Sequence, residues 1–257
     1  MERFHLETWR YAVPVMFGPP PPLKPGQHLH TATCTVVEHG EHRYAISAAH
    51  VLVEAWCAVR SGAPTDVVIG PLNIDLNKVA VSYVDVVDLE AQPEGRSYPI
   101  DLATLRLTEQ QVKRLERDGY RVIRPPDWPP PTVRENDSIF MAGYPAALRH
   151  QVSVTEHDFG ATTFGLIVQS VHDSEFIAHR DPAFSETVRL TLDDVPPQMV
   201  GGCSGGPVFL VRDEPVLIPR LCGVVKEGWS PFGTEDLLLR FARLDVTLNA
   251  DGAVRSP

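Results

Sequence analysis

Short apolar runs, separated by turn-forming residues, recur along nearly the whole chain. Gly, Pro, Asn and Asp cluster between the runs, and the runs have the length of strands rather than of helices. Several runs are rich in β-branched residues or alternate between apolar and polar positions, as half-buried strands do. This pattern predicts an all-β barrel or sandwich. The predicted strands cover residues 11–17, 33–37, 44–46, 66–69, 79–87, 102–107, 138–142, 164–171, 187–192, 207–211 and 221–225.

Two segments depart from the strand pattern. Residues 108–117 begin with Thr108, and Gln111 follows three positions later, which is the arrangement of a capping box at a helix N-terminus. We therefore predict a helix there, and its polar surface predicts an exposed position. Residues 234–244 fit a helix or a strand equally well.

A proline-rich segment lies near the middle of the chain. Residues 121–137 contain five prolines. Prolines at that density cannot lie in a central strand, because proline has no N–H to donate to a neighbouring strand. The segment is therefore predicted to be a linker between two β halves.

Charge and apolar patterning exclude two classes of function. The formal net charge is −10, and phosphate binding needs clustered Lys and Arg, so we do not expect nucleic acid as a partner. No apolar stretch is long enough for a transmembrane helix, and the N-terminus lacks the apolar core of a secretory signal. We expect no membrane partner and a cytoplasmic location. Reduced thiols are expected at the four cysteines, which form no CxxC pair: Cys34, Cys57, Cys203 and Cys222.

Residues that could take part in catalysis are concentrated in three short motifs. SAAHV contains His50, DLATLRL begins with Asp101, and GGCSGGPV contains Ser204. The third motif is the most specific, because Gly and Pro make up only about 7% and 5% of average proteins, so Gly-x-Ser-Gly-Gly-Pro is rare by chance. A nearby histidine is the usual base that activates a serine hydroxyl, which is otherwise a weak nucleophile.

In these three motifs the sequence resembles the trypsin-like (chymotrypsin-fold) serine peptidases, and Gly143-Tyr-Pro145 is similar to the bacterial members. The order His, Asp, Ser along the chain is that of this family and differs from the orders in subtilisin-like and α/β-hydrolase enzymes. The resemblance implies two antiparallel Greek-key six-stranded β-barrels with the active site in the cleft between them. Residues 1–125 would form the barrel that carries His50 and Asp101, and residues 126–257 the barrel that carries Ser204.

The resemblance also implies a role for each motif residue in a serine endopeptidase. Ser204 would attack the peptide carbonyl and form an acyl-enzyme, while His50 would act as base and then as acid. Asp101 would hold the imidazole in the correct tautomer. The backbone N–H groups of Gly202 and Ser204 would form the oxyanion hole. The substrate would be a protein or peptide, and no cofactor or metal is expected.

The residues that align with the substrate pocket of the family are unusual. The charged Lys226 and Glu227 stand where members of the family carry a hydroxyl residue and an aromatic one. Lys226 is expected either to reach Asp101 or, as is commoner for a charge at a strand edge, to face solvent. These charges predict narrow substrate choice or control by a regulatory protein partner. The full set of pocket candidates is Gln198, Met199, Lys226, Glu227 and Gly228.

Cys203 is a second departure from the family pattern. Zymogen-activated members carry an aspartate at this position, and it pairs with a newly cut N-terminus to order the oxyanion hole. A cysteine cannot form that ion pair, so activation by insertion of a new N-terminus is not expected.

Four other interpretations remain open at this stage. Cys203 could be the nucleophile in a cysteine peptidase of the same fold, but Ser204 would then stand where glycine is wanted, so we expect a buried apolar role for it. His28 and His30 could form half of a metal site, although no third or fourth ligand follows at a recognised spacing. The domain could be a non-catalytic or latent peptide-binding scaffold. A generic esterase would require an α/β pattern that this sequence lacks.

Overall fold

The fold was examined in a computed structural model of the chain. It describes residues 7–20, 22–23, 28–78, 81–84, 100–124, 130–151, 157–180, 200–211, 220–229 and 238–248. The predicted strand at 187–192 and the pocket candidates Gln198 and Met199 lie outside these residues.

Strands account for most of the regular structure, and most of the predicted apolar runs coincide with one. The strands are β1 (Ala12–Gly18), β2 (His30–His39), β3 (His42–Ala48), β4 (Asp66–Ile69), β5 (Leu72–Asn73), β6 (Val81–Val84), β7 (Leu102–Arg106), β8 (Ser138–Gly143), β9 (Arg149–Gln151), β10 (His157–Phe159), β11 (Thr162–Val171), β12 (Glu175–Arg180), β13 (Pro207–Val211), β14 (Arg220–Trp229) and β15 (Leu238–Arg243). The helices are α1 (Ala49–Arg60), α2 (Glu109–Arg117) and α3 (Leu244–Thr247), with 3-10 turns at Trp9–Tyr11 and Ala146–Leu148.

The strands form two antiparallel assemblies, one from each half of the chain. In the first, the strand order is β5-β4-β1-β2-β3-β7-β6, and the sheet stays open within the described residues. In the second, β11-β12-β15-β14-β13-β8 close into a six-stranded barrel, beside which β9 and β10 form a separate ribbon. The prediction of an all-β, chymotrypsin-like two-barrel fold is confirmed. The first half differs in strand number, because it includes the two-residue edge strand β5.

A shared apolar cluster joins the two halves. Each half has its own core, but a third cluster brings Ile46 and Leu102 of the first half against Phe209 and Val224 of the second. All four side chains are at most 2% exposed. Burial of this much apolar surface favours a fixed contact between the halves, and the strands that form it lead directly to the candidate site residues.

The predicted helix at 108–117 is present as α2, with both bonds of the capping box. The N–H of Gln111 donates to Thr108 Oγ1 at 3.2 Å, and the N–H of Thr108 donates to Gln111 Oε1 at 2.8 Å. Most residues of this helix are exposed, as expected, but one face is not, because Val112 and Leu115 are buried in the first core. Two apolar residues three positions apart are enough to dock one face of a short helix.

The structure assigns the segment that the sequence left ambiguous, and it contains one helix that was not predicted. The ambiguous segment 234–244 contains strand β15, and α3 follows it. Helix α1 was not predicted. Its buried residues include Leu52 and Ala55, which are three positions apart, as on one helix face. No helix in the described ranges has both the length and the apolar character needed to cross a membrane.

Candidate active site

His50 and Asp101 are brought together by the pairing of β3 with β7. Ala48, the last residue of β3, lies opposite Leu102, the first residue of β7. His50 follows β3 as the second residue of α1, and Asp101 directly precedes β7. The Nδ1–H of His50 donates to Asp101 Oδ2 at 2.8 Å, and the backbone N–H of His50 donates to Asp101 Oδ1 at 2.9 Å. The carboxylate therefore fixes both the tautomer and the orientation of the imidazole.

Asp101 adopts an uncommon backbone conformation. Its φ is +48°, in the left-handed region that few residues other than glycine enter, although Asp is among those that do. Its carbonyl accepts a hydrogen bond from the N–H of Ala49 at 3.1 Å. Together with the two bonds from His50, this contact holds the residue in place. A locally strained conformation that is held by several hydrogen bonds is a frequent property of functional sites.

Charges around the imidazole raise the pKa of His50 above its ordinary value. Partial burial lowers the pKa, but the hydrogen bond to Asp101 and the negative charge of Asp101 raise it, and Glu227 and Glu54 add smaller contributions in the same direction. The net effect is an increase. The surroundings of His50 therefore favour the imidazolium, which is the form produced when histidine accepts a proton.

Ser204 lies in the loop of residues 200–206, which precedes β13 and is called the serine loop below. Its Oγ–H donates to the carbonyl oxygen of Lys226 at 2.9 Å. Among the bonds of the described residues, none joins Ser204 Oγ to His50. The carbonyl oxygen of Ser204 accepts from the N–H of Thr33 at 3.0 Å, so β2 of the first half contacts the serine loop directly.

The backbone N–H groups of the serine loop fall into two sets. Three of them donate to carbonyl oxygens at 2.7–3.0 Å: those of Cys203, Gly205 and Gly206. The other N–H groups of the loop, among them those of Gly202 and Ser204, donate to no atom of the described residues. Both residues are half-buried and flank Cys203, so their N–H groups are available to a bound acceptor.

At Gly202 and Gly205 the serine loop combines a left-handed backbone with close packing. Gly202 has φ +95°, and a Cβ there would lie 2.7 Å from both Ala146 N and Tyr144 O. Gly205 has φ +89°, and a Cβ there would lie 2.1 Å from Thr33 O. Any other residue would clash with backbone atoms in a conformation that L-residues disfavour, so the glycines are needed for the close contact between the loop and its neighbours.

Cys203 is fully buried, as expected for a small apolar side chain behind the loop. Its surroundings are tight, because a Cβ on Gly143 would lie 2.8 Å from the Cys203 sulfur. Burial raises the pKa of the thiol to about 12. A thiol that stays protonated and inaccessible is a poor nucleophile.

The two expectations for Lys226 are both wrong. The side chain is only 2% exposed, so it does not face solvent, and its Nζ donates to Glu175 Oε2 at 2.7 Å rather than to Asp101. The register of β14 against β15 shifts between Val225 and Glu227, as at a β-bulge. A bulge changes the direction in which the extra residue points its side chain. Here it coincides with the side chain of Lys226 pointing into the second barrel.

Two of the remaining pocket candidates are described by the structure. The carboxylate of Glu227 accepts from Arg240 at 2.9 Å and is 41% exposed. Gly228 is packed closely, because a Cβ there would lie 2.6 Å from side-chain atoms of Leu239 and Val200. Of the charged pocket candidates, Lys226 is buried and Glu227 is accessible.

Of the two histidines considered for a metal site, His30 has other contacts. His30 stacks on Phe17 with ring centroids 4.8 Å apart, and its Nδ1 lies 3.5 Å from Glu54 Oε1. In the part of the chain that the structure describes, no group of three or more His, Cys, Asp or Glu is placed to hold a metal ion.

Sequence reasoning missed Thr33, which contacts the serine loop through both its backbone and its side chain. A signal for it was present in the sequence. Thr33 and Thr35 occupy alternate positions of β2 and are fully buried, so both point to the same face of the strand. Two polar residues on a buried strand face need hydrogen-bond partners, and here both hydroxyls donate to the serine loop, to Gly202 O and Gly205 O.

The chain matches the trypsin-like peptidase domain (Trypsin_2) over residues 32–217. No curated protein gives a significant match. Similar solved structures include the inactivated protease paralogue S-I1 of the scabies mite, with 14% identity, 94% of this chain and 92% of that chain covered, and a TM-score of 0.47.

Two further solved structures have a comparable degree of similarity. The thermostable serine protease AL20 from an extremophilic microorganism has 13% identity, 92% coverage of each chain and a TM-score of 0.45. Neuropsin, a serine protease expressed in the limbic system of mouse brain, has 14% identity, 94% of this chain and 91% of that chain covered, and a TM-score of 0.45. The domain match spans well over half of the chain and includes His50, Asp101 and Ser204. The protein therefore belongs to the trypsin-like peptidase family and is a serine protease.

Proposed function

We propose that this serine protease cleaves peptide bonds with Ser204 as nucleophile, His50 as general base and acid, and Asp101 as the residue that orients His50. The observation that carries the proposal is the double hydrogen bond from His50 to the Asp101 carboxylate. It holds the imidazole with Nδ1 protonated, which leaves Nε2 as the acceptor for a serine proton.

The unpaired N–H groups of Gly202 and Ser204 supply the second part of the mechanism. As the Ser204 oxygen attacks, the carbonyl oxygen of the scissile bond gains negative charge, and the N–H groups of Gly202 and Ser204 stabilise it. His50, now protonated, gives its proton to the leaving amine and leaves an acyl-enzyme. Water then attacks the ester, His50 accepts its proton, and Ser204 is released.

The mechanism requires one rearrangement. The Ser204 hydroxyl donates to the Lys226 carbonyl in the resting structure, so it must turn towards His50 before it can lose its proton. A serine hydroxyl reorients by rotation about one side-chain bond, without a change in the backbone. Substrate binding next to Lys226 would favour this rotation by competing for the carbonyl oxygen.

A latent, peptide-binding form is the alternative, and the Ser204–Lys226 bond is the observation that favours it. In that form the hydroxyl would stay on Lys226 until an activator bound. The alternative predicts a protein that binds peptides but does not react with serine-directed reagents in the absence of a partner.

We also propose that activity is restrained by narrow substrate choice or by a regulatory partner protein. Support comes from the charge of Glu227 beside the site, where a broadly acting peptidase would offer an uncharged surface. Broad degradation of casein by the purified protein at neutral pH would contradict this restraint. Cleavage of a small subset of a peptide library would support it.

The proposal treats residues 1–125 and 126–257 as one peptidase unit. The apolar cluster shared by the two halves supports this grouping. All four cysteines are free, which fits a reducing compartment, so we place the protein in the cytoplasm.

A fluorophosphonate probe tests the proposal directly. The wild-type protein should be labelled, and Ser204→Ala and His50→Ala should abolish labelling. Cys203→Ala is the matched control, and it should retain most of the labelling because the thiol is buried. Labelling that survives Ser204→Ala would contradict the assigned nucleophile, and an unlabelled wild-type protein would favour the latent form.

A further inference from the structure

We propose that Thr33 is a positioning residue that keeps the Gly202 N–H directed into the oxyanion hole in the intact chain, so that no cut N-terminus is required. This inference rests on the proposed function. It answers a question raised by Cys203, which is buried and cannot form the ion pair with a new N-terminus that an aspartate forms in zymogen-activated relatives.

The Thr33 hydroxyl bridges two segments of the second half of the chain. Its Oγ1–H donates to the carbonyl oxygen of Gly202 at 2.8 Å, and the same oxygen accepts from the N–H of Tyr144 at 3.0 Å. The Thr33 side chain is fully buried. Thr33 therefore connects the serine loop to the segment 144–146 that follows β8.

The segment 144–146 also fixes the orientation of the peptide that joins Gly201 to Gly202. The N–H of Ala146 donates to the carbonyl oxygen of Gly201 at 2.6 Å. In a planar trans peptide the C=O and N–H point in opposite directions. The peptide that joins Gly201 to Gly202 therefore directs the Gly202 N–H away from Ala146, towards the side where an oxyanion would bind.

The bond from Ala146 to Gly201 O and the bond from Thr33 to Gly202 O act on successive peptides. Gly202 permits rotation of its flanking peptides, because it has no Cβ and already has φ +95°. A flip of the peptide before Gly202 would place a carbonyl oxygen in the hole and remove a donor. The bond from Ala146 opposes this flip directly. The bond from Thr33 to Gly202 O opposes the compensating rotation of the next peptide, and the bond that Thr33 accepts from Tyr144 keeps Ala146 in place.

The rate of fluorophosphonate labelling of Ser204 measures this ordering without a known substrate, because the phosphonyl oxygen gains negative charge as the serine attacks. Thr33→Val keeps the shape of the side chain but removes both hydroxyl bonds. Loss of one oxyanion-hole donor lowers rates by about 10²–10³-fold in serine proteases. Partial disorder of the Gly202 N–H should therefore slow labelling by about tenfold or more, and Thr33→Ser should restore a rate close to that of the wild type.

Thr104→Val is the matched control. Thr104 lies in the same sheet, is 1% exposed, and its Oγ1 has no hydrogen-bond partner among the described residues. The control should label at the wild-type rate. The pH midpoint of labelling, which reports His50, should be the same in the wild type and the three variants, because none of the substitutions touches the bonds between His50 and Asp101.

A second variant reaches the same peptide without changing the buried strand. Ala146 is the first residue of a 3-10 turn, where proline is tolerated, and Ala146→Pro removes the N–H that donates to Gly201. Ala146→Pro should slow labelling by about the factor expected for Thr33→Val. It therefore tests the inference even if Thr33→Val fails to fold.

The outcomes separate this inference from the proposed function. If the wild type is labelled and Thr33→Val and Ala146→Pro are labelled as fast as the wild type, the positioning role is wrong while the proposed function stands. A folded Thr33→Val that is slow, together with a Thr33→Ser that is equally slow, would also overturn it. A wild-type protein that is not labelled at all would contradict both.

Discussion

Asp101 binds His50 at two points, through Oδ2 to the ring Nδ1 at 2.8 Å and through Oδ1 to the backbone N–H at 2.9 Å. The first bond fixes the tautomer, and the second fixes the position of the carboxylate relative to the start of α1. Because both oxygens are used, the side chain of Asp101 cannot rotate without losing one of the bonds. The relative position of His50 and Asp101 is therefore fixed before any substrate binds.

This pairing predicts how the rate depends on pH. His50 must be neutral to accept the serine proton, so fluorophosphonate labelling should rise with pH and reach half of its maximum above about 6.5, the ordinary histidine pKa. The direction follows because Asp101, Glu227 and Glu54 together outweigh the opposing effect of burial. A midpoint below that ordinary value would contradict the account.

Asp101→Asn removes the negative charge that raises the pKa of His50. The midpoint should shift to lower pH, and the maximal rate should fall by about 10⁴-fold, because an amide cannot hold the imidazole in the required tautomer. Glu54→Gln is the control, since Glu54 contributes only a charge effect. It should shift the midpoint slightly downwards and leave the maximal rate unchanged.

The two adjacent glycines at the start of the serine loop should respond differently to alanine. Gly202→Ala places a Cβ 2.7 Å from backbone atoms at φ +95°. The left-handed conformation alone costs about 1–2 kcal/mol for an L-residue, and the clash adds to this. Gly201→Ala, where a Cβ meets no atom within 4 Å, should change the free energy of unfolding little. Urea denaturation of both variants measures the difference, and equal stability would show that the loop conformation is wrong.

The buried ion pair between Lys226 and Glu175 should contribute to stability only as a pair. Glu175→Gln removes the carboxylate that lies 2.7 Å from the buried Lys226 ammonium, and loss of one partner of a buried ion pair costs about 3–5 kcal/mol in comparable cases. The double variant Lys226→Met with Glu175→Leu should recover most of this loss, because apolar side chains of similar size suit a buried site. Urea unfolding of the single and double variants tests this. A loss below about 1 kcal/mol for Glu175→Gln would contradict the buried pairing.

The four cysteines should differ in reactivity. Cys57 is exposed, whereas Cys34, Cys203 and Cys222 are buried, and burial raises the pKa of Cys34 and Cys203. A thiol reagent should therefore modify one cysteine quickly in the folded protein and four after unfolding. Cys57→Ser should remove the fast reaction. If Cys203→Ser removed it instead, the thiol next to Ser204 would be accessible, and its assignment as a buried residue would be wrong.

Much of the fold could be predicted from the sequence, because its strands are local patterns. The apolar runs at 66–69 and 207–211 coincide with β4 and β13, and the capping box at Thr108 marked the start of α2. The short strands β5 and β9 were missed, because two or three residues carry no usable periodicity.

The contacts that order the site could not be predicted in the same way. The hydrogen bond from Thr33 to Gly202 joins residues 169 positions apart, and nothing in either motif specifies the other. Lys226 illustrates a second reason why such contacts could not be predicted. Its direction depends on a register shift within β14, and the shift by one residue reverses which face of the sheet a side chain occupies.

The central claim is that the Ser204 oxygen is the atom that attacks the substrate. Intact-mass measurement after reaction with diisopropyl fluorophosphate, followed by peptide mapping of the adduct, tests this claim most directly. We predict a single adduct, located on Ser204, which is lost when His50 is replaced by alanine. An adduct on another residue, or a folded wild-type protein that forms no adduct, would contradict the account.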